Sequence, residues 1–500
     1  MCKNCVIYSV YTYKKKGKAI MDLYSGIKKI LDEELISFHV PGHKNGRLLK
    51  EYFKDIDILK MDLTEIEGSD NLHSPNEIIL ESQKKASRYY NSLESFFIVN
   101  GTTAGILSMI SASLEMNDTI LITRDCHKSV HNSIYINKLN VLYAPVNFDD
   151  KTKLNIGPDE ETMFNIIDKN PSIKAVVLTY PSYSGVCYNI NKIIEYAHCK
   201  NIIVLVDEAH GAHLKLNNKL PSSAVDLGGD IIVQSTHKML ISLTQSAIIH
   251  YNSKRVDLDK FKYFLSVFQS SSPSYLLMTS LDISIDMAIE NGENYVDLYL
   301  KEFEIFKSKL CTLNNFYLQN SYIMQSYSNI KVDPFKINIG INCGAILGYE
   351  LEKILRKKYA IQIEYSTETM ILLIASIATT KNDLDRLFTS LKEIDIYLNQ
   401  KTMDKKKNEF ELILLNKIPK QKYNSYITKT FNFEEILLSE SVGRVSYDFI
   451  IPYPPGIPIL VPGEIINLSL VNKLEKMLFS DFKVEGITNK PNYSLRVVEI

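Results

Sequence analysis

An apolar run that ends in an acid, followed some thirty residues on by a second that delivers a lysine, constrains this chain most. The first is Ile202-Ile203-Val204-Leu205-Val206-Asp207, continuing Glu208-Ala209-His210. The second is Asp230-Ile231-Ile232-Val233-Gln234-Ser235-Thr236-His237-Lys238. Short runs this uniformly apolar suit strands buried on both faces, as in the middle of a parallel sheet. Each presents its reactive group at the strand's carboxyl end, where open α/β sheets bind their ligands.

The surrounding pattern agrees. Ser95–Asn100, Thr119–Thr123, Asn140–Pro145, Ala175–Tyr180, Ile202–Asp207, Ile231–Gln234 and Ser246–Tyr251 read as strands, with amphipathic stretches such as Asn189–Lys200 between several of them. This alternation predicts an α/β fold with a mostly parallel sheet covered by helices. A long helix is expected through 280–315, then mixed elements to about 398. The chain accordingly divides into an N-terminal segment 1–35, a large domain 36–295, a small α+β domain 296–400 and a C-terminal domain 401–500. The charged run Lys401–Glu409 reads as a solvated connection, and Pro452–Pro458 as a stiff extended loop.

Composition removes several classes of function. Five hundred residues exceed one ordinary core, and a formal net charge of −1 gives no long-range attraction for nucleic acid or anionic lipid. No apolar run reaches membrane-spanning length, and the start shows no signal-peptide core, so no membrane partner and a cytoplasmic location are expected. Seven scattered cysteines do not describe a disulfide framework. Cys2 and Cys5 lack a second pair at zinc spacing and read as incidental, while Cys126, Cys187, Cys199, Cys311 and Cys343 read as small core residues.

The chemistry gathers at the strand ends. A carboxylate at Asp207 can hold a pyridine nitrogen protonated, and Lys238 can form a Schiff base with an aldehyde, the minimal equipment of a pyridoxal 5'-phosphate site. Gly101-Thr102-Thr103 opens a helix after a strand, so free amides and two hydroxyls can cradle a phosphate, although capping threonines are common. His127 follows a strand where an imidazole can lie on an aromatic ring, or simply cap the next helix. Small Ala209 leaves room for a ring above the backbone. Ser235 and His237 flank the lysine, and His237 can orient a substrate carboxylate or relay a proton. Glu208, His210 and His213 lack the helical spacing of a zinc site, so no metal is expected.

Collinear blocks resemble the prokaryotic ornithine/lysine/arginine decarboxylases, which have the fold-type-I architecture of pyridoxal-phosphate transferases. The blocks are Phe38-His39-Val40-Pro41-Gly42-His43-Lys44, Asp62-Leu63-Thr64-Glu65-Ile66, Asp70-Asn71-Leu72-His73, Val99–Thr103 and His127-Lys128-Ser129. They continue with Val206–His213, Gln234–Lys238, Ser272-Pro273-Ser274-Tyr275, Pro452–Pro458 and Pro462-Gly463-Glu464. The resemblance implies that Lys238 carries the covalent link to the cofactor, Asp207 pairs with its ring nitrogen and His127 stacks on the ring. It implies that Thr102, Thr103, Ser235 and His237 gather at the phosphate and the substrate carboxylate. It also implies a homodimer or dimer-based oligomer in which Ser271 and Ser272 reach the partner's cofactor, and a contact from Glu464 to the substrate's distal cation.

Two departures stand out: Asp70-Asn71 occupies the place of two acids, and Gly229 that of an alanine. The stretch before residue 36 is too short for the additional N-terminal flavodoxin-like domain of the long acid-stress enzymes. The resemblance is therefore to the short form, which implies a biosynthetic role. The expected reaction is decarboxylation of a basic amino acid (arginine, then lysine, then ornithine) to the corresponding polyamine-pathway amine. Another fold-type-I enzyme, an aminotransferase or a lyase, is the alternative, and a non-catalytic binding descendant is the third reading.

Overall fold

The computed structural model describes residues 22–342, 344–400, 418–452, 456–479, 483–488 and 492–499. The seven expected strands form one sheet: β1 (Glu94–Ile98), β2 (Thr119–Thr123), β3 (Asn140–Ala144), β4 (Ile173–Thr179), β5 (Ile203–Asp207), β6 (Ile231–Gln234) and β7 (Ala247–Tyr251). Their order is β1–β7–β6–β5–β4–β2–β3. Neighbours from β6 to β3 run parallel, and β7 is antiparallel to both β6 and β1.

The alternation of side chains explains the unbroken apolar runs. Val204 and Val206 enter a core with Val176, Leu178 and Ile232, whereas Ile203 and Leu205 enter another with Ala175, Val177 and Val233. A strand dry on both faces has no position left for a polar residue until it leaves the sheet. That exit is where Asp207 stands.

After β1, helix α1 (Gly101–Ser113) packs on the sheet, and α2 (Lys128–Ile136) follows β2. The long helix is α3 (Tyr275–Leu310), 36 residues without a break. The expected division at 295/296 therefore falls inside a helix. Its early turns pack under the large sheet, and its later ones meet α4 (Lys381–Gln400). A small antiparallel sheet holds β8 (Phe316–Leu318), β9 (Lys336–Ile341), β10 (Tyr365–Ser366) and β11 (Met370–Ile374), in the order β8–β9–β11–β10. Its residues Ile337, Ile339 and Leu373 share one core with Val204 and Val206, so the small unit is fused to the large one rather than separated by a boundary.

Residues Ile36–Phe38 also cross that division by pairing in parallel with Ile361–Ile363. By contrast the C-terminal unit has a core of its own around Ile450, Leu460, Leu474 and Val497. There β12 (Phe433–Leu437) runs antiparallel to β13 (Ser494–Val498), beside α5 (Leu468–Phe479).

Cys126 and Cys187 are buried as expected, but Cys199 and Cys311 are exposed. One ends a surface helix and the other caps α3, positions that face water. Cys2, Cys5, Cys343 and the run Lys401–Glu409 lie outside the described residues, as does the middle of Pro452–Pro458.

The Pro41-Gly42 turn braces the turn that carries Lys238. The Gly42 amide donates to the His237 carbonyl (2.7 Å), and the Gly42 carbonyl accepts from Ser376 Oγ (2.6 Å). A Cβ on Gly42 would lie 2.1 Å from the Leu240 carbonyl oxygen and 2.9 Å from that of Lys238. Both are backbone atoms and cannot rotate away. Gly42→Ala is expected to destabilise the fold by about 1–3 kcal/mol, an overpacking cost. Urea unfolding checks this as a lower midpoint at unchanged slope, and an unmoved midpoint contradicts the packing.

Candidate active site

Because β5 and β6 are parallel neighbours with Val233 opposite Asp207, both chains leave the sheet at the same edge. Asp207 is the last residue of β5, and Lys238 sits in the short helix Thr236–Met239 directly after β6. Asp207 is buried and Lys238 half-buried. Burial raises the Asp207 pKa, opposed by the charge of Lys238. Burial lowers that of Lys238, opposed by Asp207 and then Glu364. The two groups thus sit within each other's field where water is scarce.

The start of α1 lies beside them. Thr102 Oγ1 hydrogen-bonds Ser235 Oγ, so the first turn of α1 is tied to the residue that precedes the lysine helix. Asn100 gives this helix no side-chain cap, which leaves first-turn amides open to a ligand. Thr103, the next residue, is exposed.

His127 takes the capping role considered for it. Its Nδ1 accepts from the Ser129 amide (3.3 Å) and pairs with Ser129 Oγ (2.8 Å), capping α2. Its half-buried ring also lies in the field of Lys238, and burial first, then that charge, bring its pKa down to about 4. His237 donates from Nδ1 to the Ser246 carbonyl (2.8 Å), and burial lowers its pKa to about 4. The Ala209 amide donates to Asp207 Oδ1 (3.1 Å), which fixes the carboxyl. Ser271 and Ser272 are exposed, in a loop whose Ser270 amide donates to Asn100 Oδ1 (3.2 Å).

Glu464, expected at the substrate's distal cation, meets an arginine of its own chain. It is fully buried, and its Oε2 accepts from Arg124 Nη2 (2.9 Å) and the Val461 amide (2.7 Å). Arg124 is itself buried and lies over the Tyr143 ring, 4.9 Å from its centre. Its Oε1 is buried without a hydrogen-bond partner among the described residues. Through Oε2 the pair pins the C-terminal unit against the loop that carries His127.

Three further residues gather at this site: His210 from the Val206–His213 block, and two that carry no sequence signal. His210 Nε2 lies 3.2 Å from Lys238 Nζ, and its Nδ1 lies 2.7 Å from Lys336 Nζ. Glu364 accepts from Tyr183 Oη (2.5 Å) and from the Val40 amide (3.0 Å). Lys336 opens β9 and Glu364 directly precedes β10, far along the chain, with no motif around them. Glu208, His210 and His213 turn toward different partners: Ser223 and Gln234, the two lysines, and Asp333. Among the described residues no group of three such side chains could hold a metal ion.

The donor set fits pyridoxal phosphate. Asp207 is a buried acid whose own-chain hydrogen bond comes from one backbone amide, leaving capacity for a ring N–H. An amine stands in its field, a half-buried imidazole is near, and a hydroxyl pair beside open helix amides suits a phosphate.

Comparison with known proteins agrees. The model of the Orn/Lys/Arg decarboxylase major domain matches residues 21–383, and that of the C-terminal domain matches 400–480. An arginine decarboxylase of Bacillus subtilis is 32% identical over 480 residues, 95% of this chain and 97% of the relative. The uncharacterized protein YaaO of the same organism is 36% identical over 457 residues, 90% of this chain and 92% of the relative. The crystal structure of the Francisella novicida lysine decarboxylase LdcF superposes with a TM-score of 0.77 at 20% identity, over 92% of this chain and 78% of that one.

Glu208 serves the frame of the site. Its Oε2 accepts from Ser223 Oγ (2.8 Å) and Gln234 Nε2 (2.6 Å), its Oε1 from the Ala224 amide (2.7 Å), and burial raises its pKa to about 8. In Glu208→Gln one end of the side chain becomes a donor and meets another donor. The expected loss is about 1–3 kcal/mol, the cost of a buried unmade hydrogen bond, seen as a lower Tm. A Tm equal to the parent's would contradict this geometry.

Proposed function

The chain belongs to the Orn/Lys/Arg decarboxylase family, and from that membership we propose that it removes the α-carboxylate of a basic amino acid, arginine ahead of lysine and ornithine. The product is the corresponding amine, a building block for polyamines, together with CO2. One observation carries the reading: Asp207 and Lys238 leave adjacent parallel strands at one dry edge. The preference for arginine leans on the Bacillus subtilis relative. LdcF supports the fold alone.

Bound pyridoxal phosphate supplies an electron sink for the pair left behind when the bond from the α-carbon to the carboxylate breaks. Lys238 holds the cofactor through its Nζ. Asp207 keeps the ring nitrogen protonated, because a carboxylate in a low-dielectric edge favours a facing cation. Thr102, Ser235 and the first-turn amides around Thr103 hold the phosphate, and His127 and Ala209 bound the ring. His237, neutral and oriented by the Ser246 carbonyl, is placed to steer the substrate carboxylate or pass a proton to the α-carbon. The exposed Ser271 and Ser272 complete the partner's site in a homodimer, and the enzyme works in the cytoplasm.

Incubation with arginine, lysine and ornithine in the presence of the cofactor, followed by mass spectrometry, is expected to show one amine lighter than its parent by CO2, with arginine turned over fastest. Keto-acid formation instead would end the proposal in favour of a transaminase. Lys238→Ala is expected to lose both the visible absorbance of the bound cofactor and turnover, so an active variant is equally fatal. Asp207→Asn should lower kcat about 10²-fold or more, the scale on which a charge-stabilising group acts in a dry site.

A further inference from the structure

Lys336 is a fully buried lysine that the proposed reaction leaves without a task. It opens β9, with its side-chain stem laid against Gly185, where a Cβ would come within 2.4 Å of Lys336 Cγ. It is 0% exposed, and the hydrogen-bond partner of its Nζ among the described residues is His210 Nδ1, at 2.7 Å. His210 in turn faces Lys238 through Nε2, at 3.2 Å. Two amines therefore flank one imidazole, which has a single N–H to give when neutral.

The proton count decides how the three groups share it. Burial before all keeps His210 neutral. Of its two contacts the one to Lys336 is shorter, within the range of a charge-assisted bond from an ammonium. With Lys336 as the ammonium donating to Nδ1, a neutral ring carries its N–H on Nε2, facing the nitrogen of Lys238.

Other charges set the balance. Lys336 is opposed by burial, which brings its pKa down to about 8, and is supported by Asp333 and Glu364. Lys44 adds a further positive charge from the Pro41-Gly42 turn. Facing Lys238, Asp207 and Glu364 favour the ammonium, while His127 and His237 are kept neutral by burial.

We infer that Lys336 is a positioning residue: through His210 it holds the nitrogen of Lys238 in its unprotonated form, both as a free amine and as the cofactor-linked nitrogen. The inference rests on the decarboxylase reading only in taking Lys238 as the residue that holds the cofactor. A free amine attacks an aldehyde and an ammonium does not, so the effect bears directly on how Lys238 takes up the cofactor and releases the product.

The test is a pH titration of the visible absorbance of the cofactor-loaded full chain. Lys336→Met keeps the length of the side chain and removes a buried charge, a change folds commonly tolerate. Its absorbance midpoint is expected at least about one pH unit above the parent's, a tenfold gain in proton affinity at the Lys238 nitrogen. His210→Phe should move the midpoint in the same direction. The double variant should move it no further than the larger single change, because one path carries both effects.

An unmoved midpoint in either single variant at full cofactor content overturns the inference, and so do additive shifts in the double variant. A parent protein that takes up no pyridoxal phosphate overturns the decarboxylase reading and this inference together. A parent that decarboxylates while its variants keep its midpoint sinks the inference alone.

Discussion

The pairing of β5 with β6 is the constraint from which the site follows. Parallel strands in register, Val233 beside Asp207, send both chain exits out of the same edge of the sheet. Had the two runs paired antiparallel, the acid and the lysine would have emerged at opposite ends, more than a strand length apart. The side chains there stand in each other's field, in a place that disfavours both of their charged forms. Burial raises one pKa and lowers the other, and each is held back by its partner's charge. A ligand that brings its own cation to Asp207 and its own carbonyl to Lys238 relieves both groups at once.

Around this pair the fold works by bracing rather than by adding reactive groups. The Gly42 turn binds the backbone of His237, Glu208 gathers three donors beneath the sheet edge, and Thr102 ties the start of α1 to Ser235. Arg124 and Glu464 lock the separately cored C-terminal unit to the loop of His127. Each brace joins segments distant in sequence, so the geometry of a few side chains depends on the packing of nearly the whole described chain. The small unit contributes most unexpectedly, since Lys336 in β9 and Glu364 just before β10 both reach the lysine's surroundings.

Much of the architecture was legible because sheet burial writes itself into composition. All seven strands of the central sheet lie where apolar runs bounded by polar turns predicted them, with Thr119–Thr123 and Ile231–Gln234 matching at both ends. The long helix was legible too, from periodic apolar residues beyond Pro273. The domain boundary was not. Nothing in the local pattern tells that α3 would bridge both units, or that Ile36–Phe38 would pair with Ile361–Ile363. Cys199 and Cys311 were misplaced for a related reason: a small residue at a helix end carries no mark of which side faces water.

By itself the sequence determined the strands, their apolar faces, and the acid and lysine that each central strand delivers, because backbone alternation and burial act over a few residues. Tertiary structure alone decided what each carboxylate faces. Glu464, in a motif, pairs with Arg124, while Glu364, in no motif, stands in the field of Lys238. It also decided that His210 sits between two lysines. The physical reason is range: propensity and periodicity are local, whereas the partner of a buried charge is whatever the packing of distant segments brings within about 3 Å of it, the reach of a hydrogen bond.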